Sequence, residues 1–525
     1  MAKLHEYQGR ALLEKAGIAV PRGDVAATPE EARAIAEVIG GPVVVKAQVW
    51  VTGRAALGGI RFAETPDEAA EAARALLGME IGAFRVERVL VVERLAIARE
   101  FYAGVIIDDQ ARAPVMIFSS LGGSGVEAIA REHPQHLARH TIDIRAGLRD
   151  FEARDLARRT GISGKLLLQL GDLLPKLYEV ARRYDARAAE INPLALTDDG
   201  RLIAADCRIT IDDYAVFRQP ELDIPFAREL DRPPTPLERI AWDVERGDYR
   251  GTFFFIQMRQ GFRRGERVVG FHGAGGGGSM MSMDALHAQG LQIANFVDTS
   301  GNPPASKVYR AARIILSQPG IDGYFASGSG VASQEQYHSA RALVKAFLEE
   351  PLTVPAVIRL GGNAEEQAIA ILERARPLLP VPLEGYGKDD SPEFCAARLR
   401  DLIADTPVID VAMSDYADRN AREPFRFETV TGGTVTFDHA LCRDCPTKIC
   451  VKTCVPQILS LDGEVPVLNI TREEARRGGC IECLACEVEC FFEGNRGGYV
   501  RLPILGLDEF RIAQRGEGMH GDSDG

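Results

Sequence analysis

The sequence predicts an α/β protein of several domains, closed by a small cysteine-rich α+β segment. Three observations predict it. Short β-rich runs alternate with amphipathic helical runs over residues 1 to about 230. From about 240 to 405 the alternation becomes a regular succession of strand, glycine turn and helix. Eight of the ten cysteines then fall between Cys442 and Cys490. A length of 525 residues suggests three or four domains, and 46% hydrophobic with 26% charged residues supplies ample core material.

The elements justify themselves in order. "TPEEARAIAEVIG" reads as a helix with Thr28 as N-cap and Pro29 in its first position. "PVVVKAQVWV" and "RVLVVERL" are β-branched runs and read as strands. "KLLLQLGDLLPKLYEVARRYD" has apolar residues at helical spacing. "EINPLALTDDGRLIAADCRI" reads as two strands around the turn "TDDG". A proline-rich linker, "DRPPTPLERI", follows. Three strand–turn–helix units come next: "RVVGFHGAGGGGSMMSMDAL", "GYFASGSGVASQEQYHSARALVKAF" and "PAVIRLGGNAEEQAIAILERA". Such units predict a parallel sheet with ligands gathered at the strand C-terminal ends. The expected boundaries are 1–230 and 238–405 for two larger domains, 406–440 for a linker, 441–505 for the cysteine-rich domain and 506–525 for a polar tail.

Bulk properties exclude some functions. A net charge of -13 argues against a nucleic-acid-binding surface. The N-terminus is charged and amphipathic without an apolar signal core, and no apolar run approaches the roughly 18 residues needed to span a bilayer. A cytoplasmic protein is expected. In a reducing compartment clustered cysteines bind metal more often than they form disulfides. Cys207 and Cys395, outside the cluster, read as buried small hydrophobes.

Two features of the first half suit a nucleotide. Lys46 ends an apolar strand, and the glycine-containing loop "TGRAALGG" that follows can approach phosphates. Glu190, Asn192 and Asp206 lie at or near the ends of two strands, and hard oxygen ligands of this kind suit Mg²⁺. A plain hairpin around "TDDG" explains the same stretch.

The order of the pieces adds to this. "LHEYQGRALLEKAGI", "VVKAQV", "TGRAALGG", "VVERL", "REFYAG", "AEINPLAL", "AADCRI" and "FRQPEL" together resemble the β subunit of succinate–CoA ligase. The resemblance covers about 1–220 well and continues more loosely to about 405. It implies an ATP-grasp domain followed by a flavodoxin-like ligase domain. It implies that Lys46, Gly53 and Arg54 hold the phosphates of ATP or GTP, that Glu93 is the hinge residue beside the base, and that Glu100 is the acid near the ribose. Asn192 and Asp206 match the Mg²⁺ ligands, and Glu190 the acid that orients a phosphohistidine facing the nucleotide. Phosphoryl transfer needs positioning and charge neutralisation more than covalent help from side chains, which agrees with these roles. The chain departs from the family at Trp50, in place of a histidine, and at Arg208, in place of a lysine.

In the middle domain, five glycines occupy the six positions 273–278 at a strand-to-helix junction, an arrangement that favours close backbone approach to an anion. The resemblance makes His272, Gly273 and Gly275 the substrate-facing loop, with His272 where the family has asparagine. It makes Gly328, Ser329 and Gly330 the loop that offers N–H groups to the phosphohistidine. None of the nine histidines fits the phosphohistidine loop itself. The resemblance therefore implies an α-type partner subunit that carries this histidine and the CoA pocket, and a small carboxylic acid as substrate.

The cysteines form two runs. Cys442, Cys445, Cys450 and Cys454 are spaced C-x2-C-x4-C-x3-C, and Cys480, Cys483, Cys486 and Cys490 C-x2-C-x2-C-x3-C. The pair resembles a two-cluster bacterial-type ferredoxin. "GGCIECLACEVEC" followed by "NRGGYV" resembles the ferredoxin-like partners of electron-transfer-flavoprotein quinone oxidoreductases. In that pattern the fourth cysteine of each run ligates the other cluster. One [4Fe–4S] cluster would then take Cys442, Cys445, Cys450 and Cys490, and the other Cys454, Cys480, Cys483 and Cys486. Two structural zinc sites are the rival. The expectation is an ATP-dependent acid–CoA ligase β-type subunit fused to a separate ferredoxin-like module that meets a redox partner. The alternative is an electron-transfer protein whose ligase part only binds nucleotide or acyl-CoA to gate that partner.

Overall fold

In the computed structural model the described residues are 2–51, 53–123, 131–224, 232–251, 253–328, 330–407, 409, 416 and 420–518. They fall into two compact units, Met1–Pro233 and Pro234–Gly525.

The first unit holds two larger sheets. Val43–Ala47, Val89–Glu93, Gly23–Ala26 and Ile60–Ala63 form a four-stranded sheet. Helices Pro29–Ile39 and Pro66–Leu76 bury their alanine-rich faces with it. Thr28 caps the first of these helices by accepting from Glu31 N–H at 3.2 Å, with Pro29 in the first turn, as its sequence predicts. A seven-stranded antiparallel sheet includes the long strands Ile97–Asp108 and Ala186–Thr197 and the strand Cys207–Ile211. Helix Gly164–Arg183 buries Leu170, Leu173, Leu174 and Leu177 in the core of this sheet.

The proline-rich linker ends at helix Pro236–Arg246, where Thr235 caps Glu238 N–H. The second unit then builds a seven-stranded sheet. Strands Val268–Ala274, Asn295–Asp298, Gly323–Gly328, Ala356–Arg359 and Leu383–Tyr386 run parallel. Numbered along the chain, they lie in the spatial order 2-1-3-4-5. Phe254–Gln257 pairs antiparallel with Asn295–Asp298 at one edge. The predicted strand–glycine–helix units are all present, and their turns sit at the strand C-terminal ends.

Two readings change at the C-terminus. The stretch 406–440 is not a plain linker, because Pro424–Glu428 and Thr434–Asp438 form a hairpin whose second strand pairs with Gly498–Arg501. That sheet closes over the cysteine-rich segment and shares one hydrophobic core with the parallel-sheet part. Residues 441–505 therefore do not form a compact unit apart from 238–405. The expected tail begins with a helix, Leu507–Gly518, and its remaining residues, 519–525, lie outside the described ones.

Candidate functional site

The first unit gathers four charges. Glu6, in the first turn of helix Glu6–Lys15, is buried and accepts from Lys46 Nζ and Arg54 Nη2, each at 2.7 Å. Arg54 Nη2 also reaches Asp206 at 3.0 Å, and its Nη1 donates to Ala47 O at 2.9 Å. Lys46 Nζ donates to Ala205 O at 2.8 Å. Lys46 and Arg54 thus cross from the four-stranded sheet to the strand end at Asp206. Burial opposes charge on Lys46, yet Glu6 and Asp206 outweigh it and hold its pKa above the ordinary range. Burial and the neighbouring Glu6 push Asp206 up to about 6.

Backbone pairing brings Asn192 to this cluster, since its N–H donates to Asp206 O at 3.0 Å. Its side chain is held by Gly123, accepting from Gly123 N–H at 3.1 Å and donating to Gly123 O at 3.0 Å. Glu100 stands beside the same glycine, its Oε2 within 3.3 Å of where a Cβ on Gly123 would sit. The hairpin reading of this stretch is seen directly, and the strand ends meet through backbone. "TDDG" makes a hairpin turn, and the backbones of Asn192 and Asp206 are bonded to each other. Glu190 lies between Gly104 and Arg208 on neighbouring strands, two residues from Asn192. Gly53 takes a left-handed φ of 71° and opens the loop that carries Arg54. Glu93 is paired with Arg22 at 2.8 Å. Sequence reasoning missed Glu6, because an acid in a first helical turn reads as a partner for the helix dipole.

In the second unit the glycine-rich loop is built as a close junction. A Cβ at Gly273 would lie 2.1 Å from Ser279 Oγ, so only glycine lets the strand meet the helix Gly276–Ala288. Gly275 takes a φ of 91°, and its N–H donates to Asp298 Oδ1 at 3.0 Å. Arg359 is buried and donates to Gly328 O, Lys388 O and Asp390 O, pinning the neighbouring loop. Gly330, with a φ of 79°, lies in this loop, and Ser329 lies outside the described residues. Asp298 and Arg359 are further residues that the sequence did not mark.

His272 sits differently from its expected place on the substrate-facing loop. It is only 4% exposed, and its Nδ1 bonds the Tyr324 hydroxyl at 2.6 Å inside the sheet. Burial pushes its pKa down to about 3, and burial also lowers His338 to about 4. Both folded-state values lie below the unfolded value of about 6.5. The stability they contribute is present above that pH and is lost as pH falls through the window below it. His272→Asn is therefore expected to flatten the fall in thermal stability between pH 6.5 and 4, by at most about 1.4 kcal/mol per pH unit. An unchanged slope in the variant would refute this role for the buried ring.

The eight clustered cysteines divide between two cavities. Cys442, Cys445, Cys450 and Cys490 line one, together with Lys448, Asn495 and Gly497. Cys454, Cys480, Cys483 and Cys486 line the other. Burial pushes Cys442, Cys450 and Cys480 up to about 12. Four thiolates could not share either cavity without cations to balance them. Backbone N–H groups face several sulfurs, among them Gly498 N–H to Cys490 Sγ at 3.4 Å. Cys445 is lowered, because the Thr447 hydroxyl and nearby N–H groups outweigh its burial. Among the described residues, no three His, Cys, Asp or Glu side chains are grouped so as to hold a single metal ion. Among the same residues, no helix is long and apolar enough to cross a membrane.

Comparison with known proteins bears on both units. Residues 3–196 match the family model of the ATP-grasp domain. The β subunit of GDP-forming succinate–CoA ligase from Thermus thermophilus is 40% identical over 379 residues, spanning 72% of this chain and 95% of the relative. The β subunit of the ADP-forming enzyme from Archaeoglobus fulgidus is 39% identical over 374 residues, spanning 71% of this chain and 93% of that one. Among solved structures, ATP citrate lyase from Methanothrix soehngenii, in complex with citrate and coenzyme A, matches with a TM-score of 0.62. At 18% identity, over 77% of this chain and 99% of that one, this likeness shows the fold alone.

Proposed function

Because the chain belongs to the family of succinate–CoA ligase β subunits, we propose that it is the nucleotide-handling subunit of an ADP- or GDP-forming acid–CoA ligase, completed by an α-type partner. The observation that carries this reading is the meeting of Lys46, Arg54, Asn192 and Asp206 at one place in the first unit. Lys46 and Arg54 would take the phosphates of ATP or GTP, with Gly53 freeing the loop backbone. Asn192 and Asp206 would hold Mg²⁺, which when bound neutralises phosphate charge. Glu100, beside Gly123, is assigned to the ribose, Glu93 to the base, and Glu190 to the partner's histidine when it faces the nucleotide.

In the second unit the strand order 2-1-3-4-5 supports a flavodoxin-like ligase domain. The backbone around Gly273 and Gly275 would face the carboxylic acid and phosphate, and Gly328, Ser329 and Gly330 the partner's phosphohistidine. His272 supports this loop from within the sheet through Tyr324. The overall reaction is carboxylate plus nucleoside triphosphate plus CoA, giving acyl-CoA, nucleoside diphosphate and phosphate. The partner supplies the histidine and the CoA pocket.

We assign two [4Fe–4S] clusters to the cysteine-rich segment. The support is that each cavity gathers three cysteines of one run and one of the other, as the two-cluster pattern requires. N–H donors to sulfur are a further feature of such sites. The clusters give the subunit a route to a redox partner.

The test is radiolabelling from the γ-phosphate of ATP or GTP. The chain alone should take no acid-labile label, and adding an α-type subunit should label that subunit and permit acyl-CoA formation. Strong labelling of this chain alone, lost in His272→Asn, would overturn the need for a partner. Nucleotide binding without any turnover in the presence of the partner would favour the rival reading, an electron-transfer protein gated by nucleotide.

A further inference from the structure

The helix that carries cysteines for both cavities is clasped by cations from the ligase-like part of the same unit. Helix Ala485–Glu493 places Cys486 in one cavity and Cys490 in the other. Between them stand Glu487 and Glu489, only 1% and 6% exposed. Lys345 Nζ, fully buried on helix Tyr337–Glu349, reaches Glu487 Oε1 at 3.1 Å and Glu349 Oε1 at 2.7 Å. Arg341, on the same helix, donates to Glu489 Oε1 at 3.0 Å. Arg374, on helix Glu365–Ala375, meets Glu489 Oε2 and Glu493 Oε1, each at 3.1 Å. The second oxygen of Glu487 accepts from Val500 N–H at 3.1 Å. In "CEVEC" these acids read as ordinary solvated charges, and their burial is set by helices more than a hundred residues away in sequence.

Stability alone does not require this arrangement. Buried ion pairs are often no better for stability than apolar packing of the same volume, because desolvation offsets the attraction. The clasp does two things that apolar packing would not. It fixes the helix in one register, and it sets balancing positive charge, in a low-dielectric region, on the Glu487 and Glu489 carboxylates that adjoin Cys486 and Cys490 in the chain. Local charge and hydrogen bonding set the reduction potential of an iron–sulfur cluster, and a nearby cation favours the form that has gained an electron.

We propose that Lys345, with Arg341 and Arg374, is a positioning residue for the iron–sulfur clusters: the ligase-like part of the unit holds the helix that ligates both clusters and tunes their potentials through Glu487 and Glu489. This rests on the cluster reading above. It makes the ligase-like part the scaffold of the electron-transfer segment, and links the two by charge as well as by fusion of the chain.

The experiment uses the full chain, purified without oxygen, with iron counted and the potentials titrated by electron paramagnetic resonance. Lys345→Met removes the ammonium and leaves the Glu487 carboxylate unbalanced, so the cluster beside Cys486 becomes harder to reduce. Its reduction equilibrium should fall about tenfold, a shift of about 59 mV to more negative potential. The near-isosteric Glu487→Gln, which guards against a failure to fold, should shift it the opposite way. The double variant should return close to wild type. A merely structural clasp would lower iron content in both single variants without opposite shifts, and that outcome would overturn the proposal, as would unshifted potentials in fully loaded variants. Wild-type protein without iron would overturn the cluster reading itself, and this proposal with it.

Discussion

Asp206→Ala is expected to leave the fold intact and to weaken Mg²⁺-dependent nucleotide binding by a hundredfold or more. Asp206 is the carboxylate in the proposed metal pair, and a magnesium site of this kind rests on one or two carboxylates plus phosphate oxygens. Losing one such ligand at about 2.7 kcal/mol corresponds to a hundredfold in affinity. The rest of the cluster survives the change, because Arg54 keeps its bonds to Glu6 and Ala47 O, and Lys46 keeps Glu6 and Ala205 O. Binding measured without Mg²⁺ should therefore change little. Calorimetry with and without the metal separates the two terms, and circular dichroism checks the fold. A variant that retains the wild-type dependence on Mg²⁺ would refute the ligand assignment. Wild-type protein that binds neither ATP nor GTP at millimolar Mg²⁺ would remove the nucleotide reading altogether.

The parts of this site that were legible share a property. Lys46, Asn192 and Asp206 each end or border a β-rich run, so sequence pattern alone places them where strands present ligands. Their neighbours are matters of tertiary contact. Glu6 is drawn into the site by Lys46 and Arg54, which lie 40 and 48 positions away. Asp298 and Arg359 act by holding backbone, and a single sequence carries no mark of that. His272 follows a strand into the sheet, and its burial depends on Tyr324, on the next parallel strand. The hairpin at 424–438 did have a signal, since "FRFETVTGGTVTFD" alternates around a glycine pair. Over 406–440 as a whole the pattern is less regular than in the preceding domain, and the stretch reads as a linker. The cysteine partition came from the resemblance to a two-cluster ferredoxin, in which the fourth cysteine of each run ligates the other cluster. The docking of the segment was not legible, because Glu487 and Glu489 differ from surface acids only in what other helices bring to them.

Cys490→Ser is expected to reduce the iron content of the anaerobically purified chain from about eight to about four per molecule, the arithmetic of two four-iron clusters losing one. The informative point is which cluster disappears. By sequence, Cys490 belongs with Cys480, Cys483 and Cys486, whereas the structure sets it with Cys442, Cys445 and Cys450 around the other cavity. The variant should therefore lose the cluster of the first run and keep the cluster that depends on Cys454. Cys454→Ser should do the reverse, although Cys454 follows Cys450 by a single helical turn. Wild-type protein should be brown, and its visible band should bleach with dithionite. Electron paramagnetic resonance of the two reduced variants should give two different single-cluster spectra, whose sum should lack the inter-cluster coupling expected of the wild type. Loss of the cluster in the same run as each substitution would refute the crossed ligation. A colourless anaerobic preparation carrying stoichiometric zinc would refute the clusters, and the four-thiol cavities would then be structural zinc sites that move no electrons.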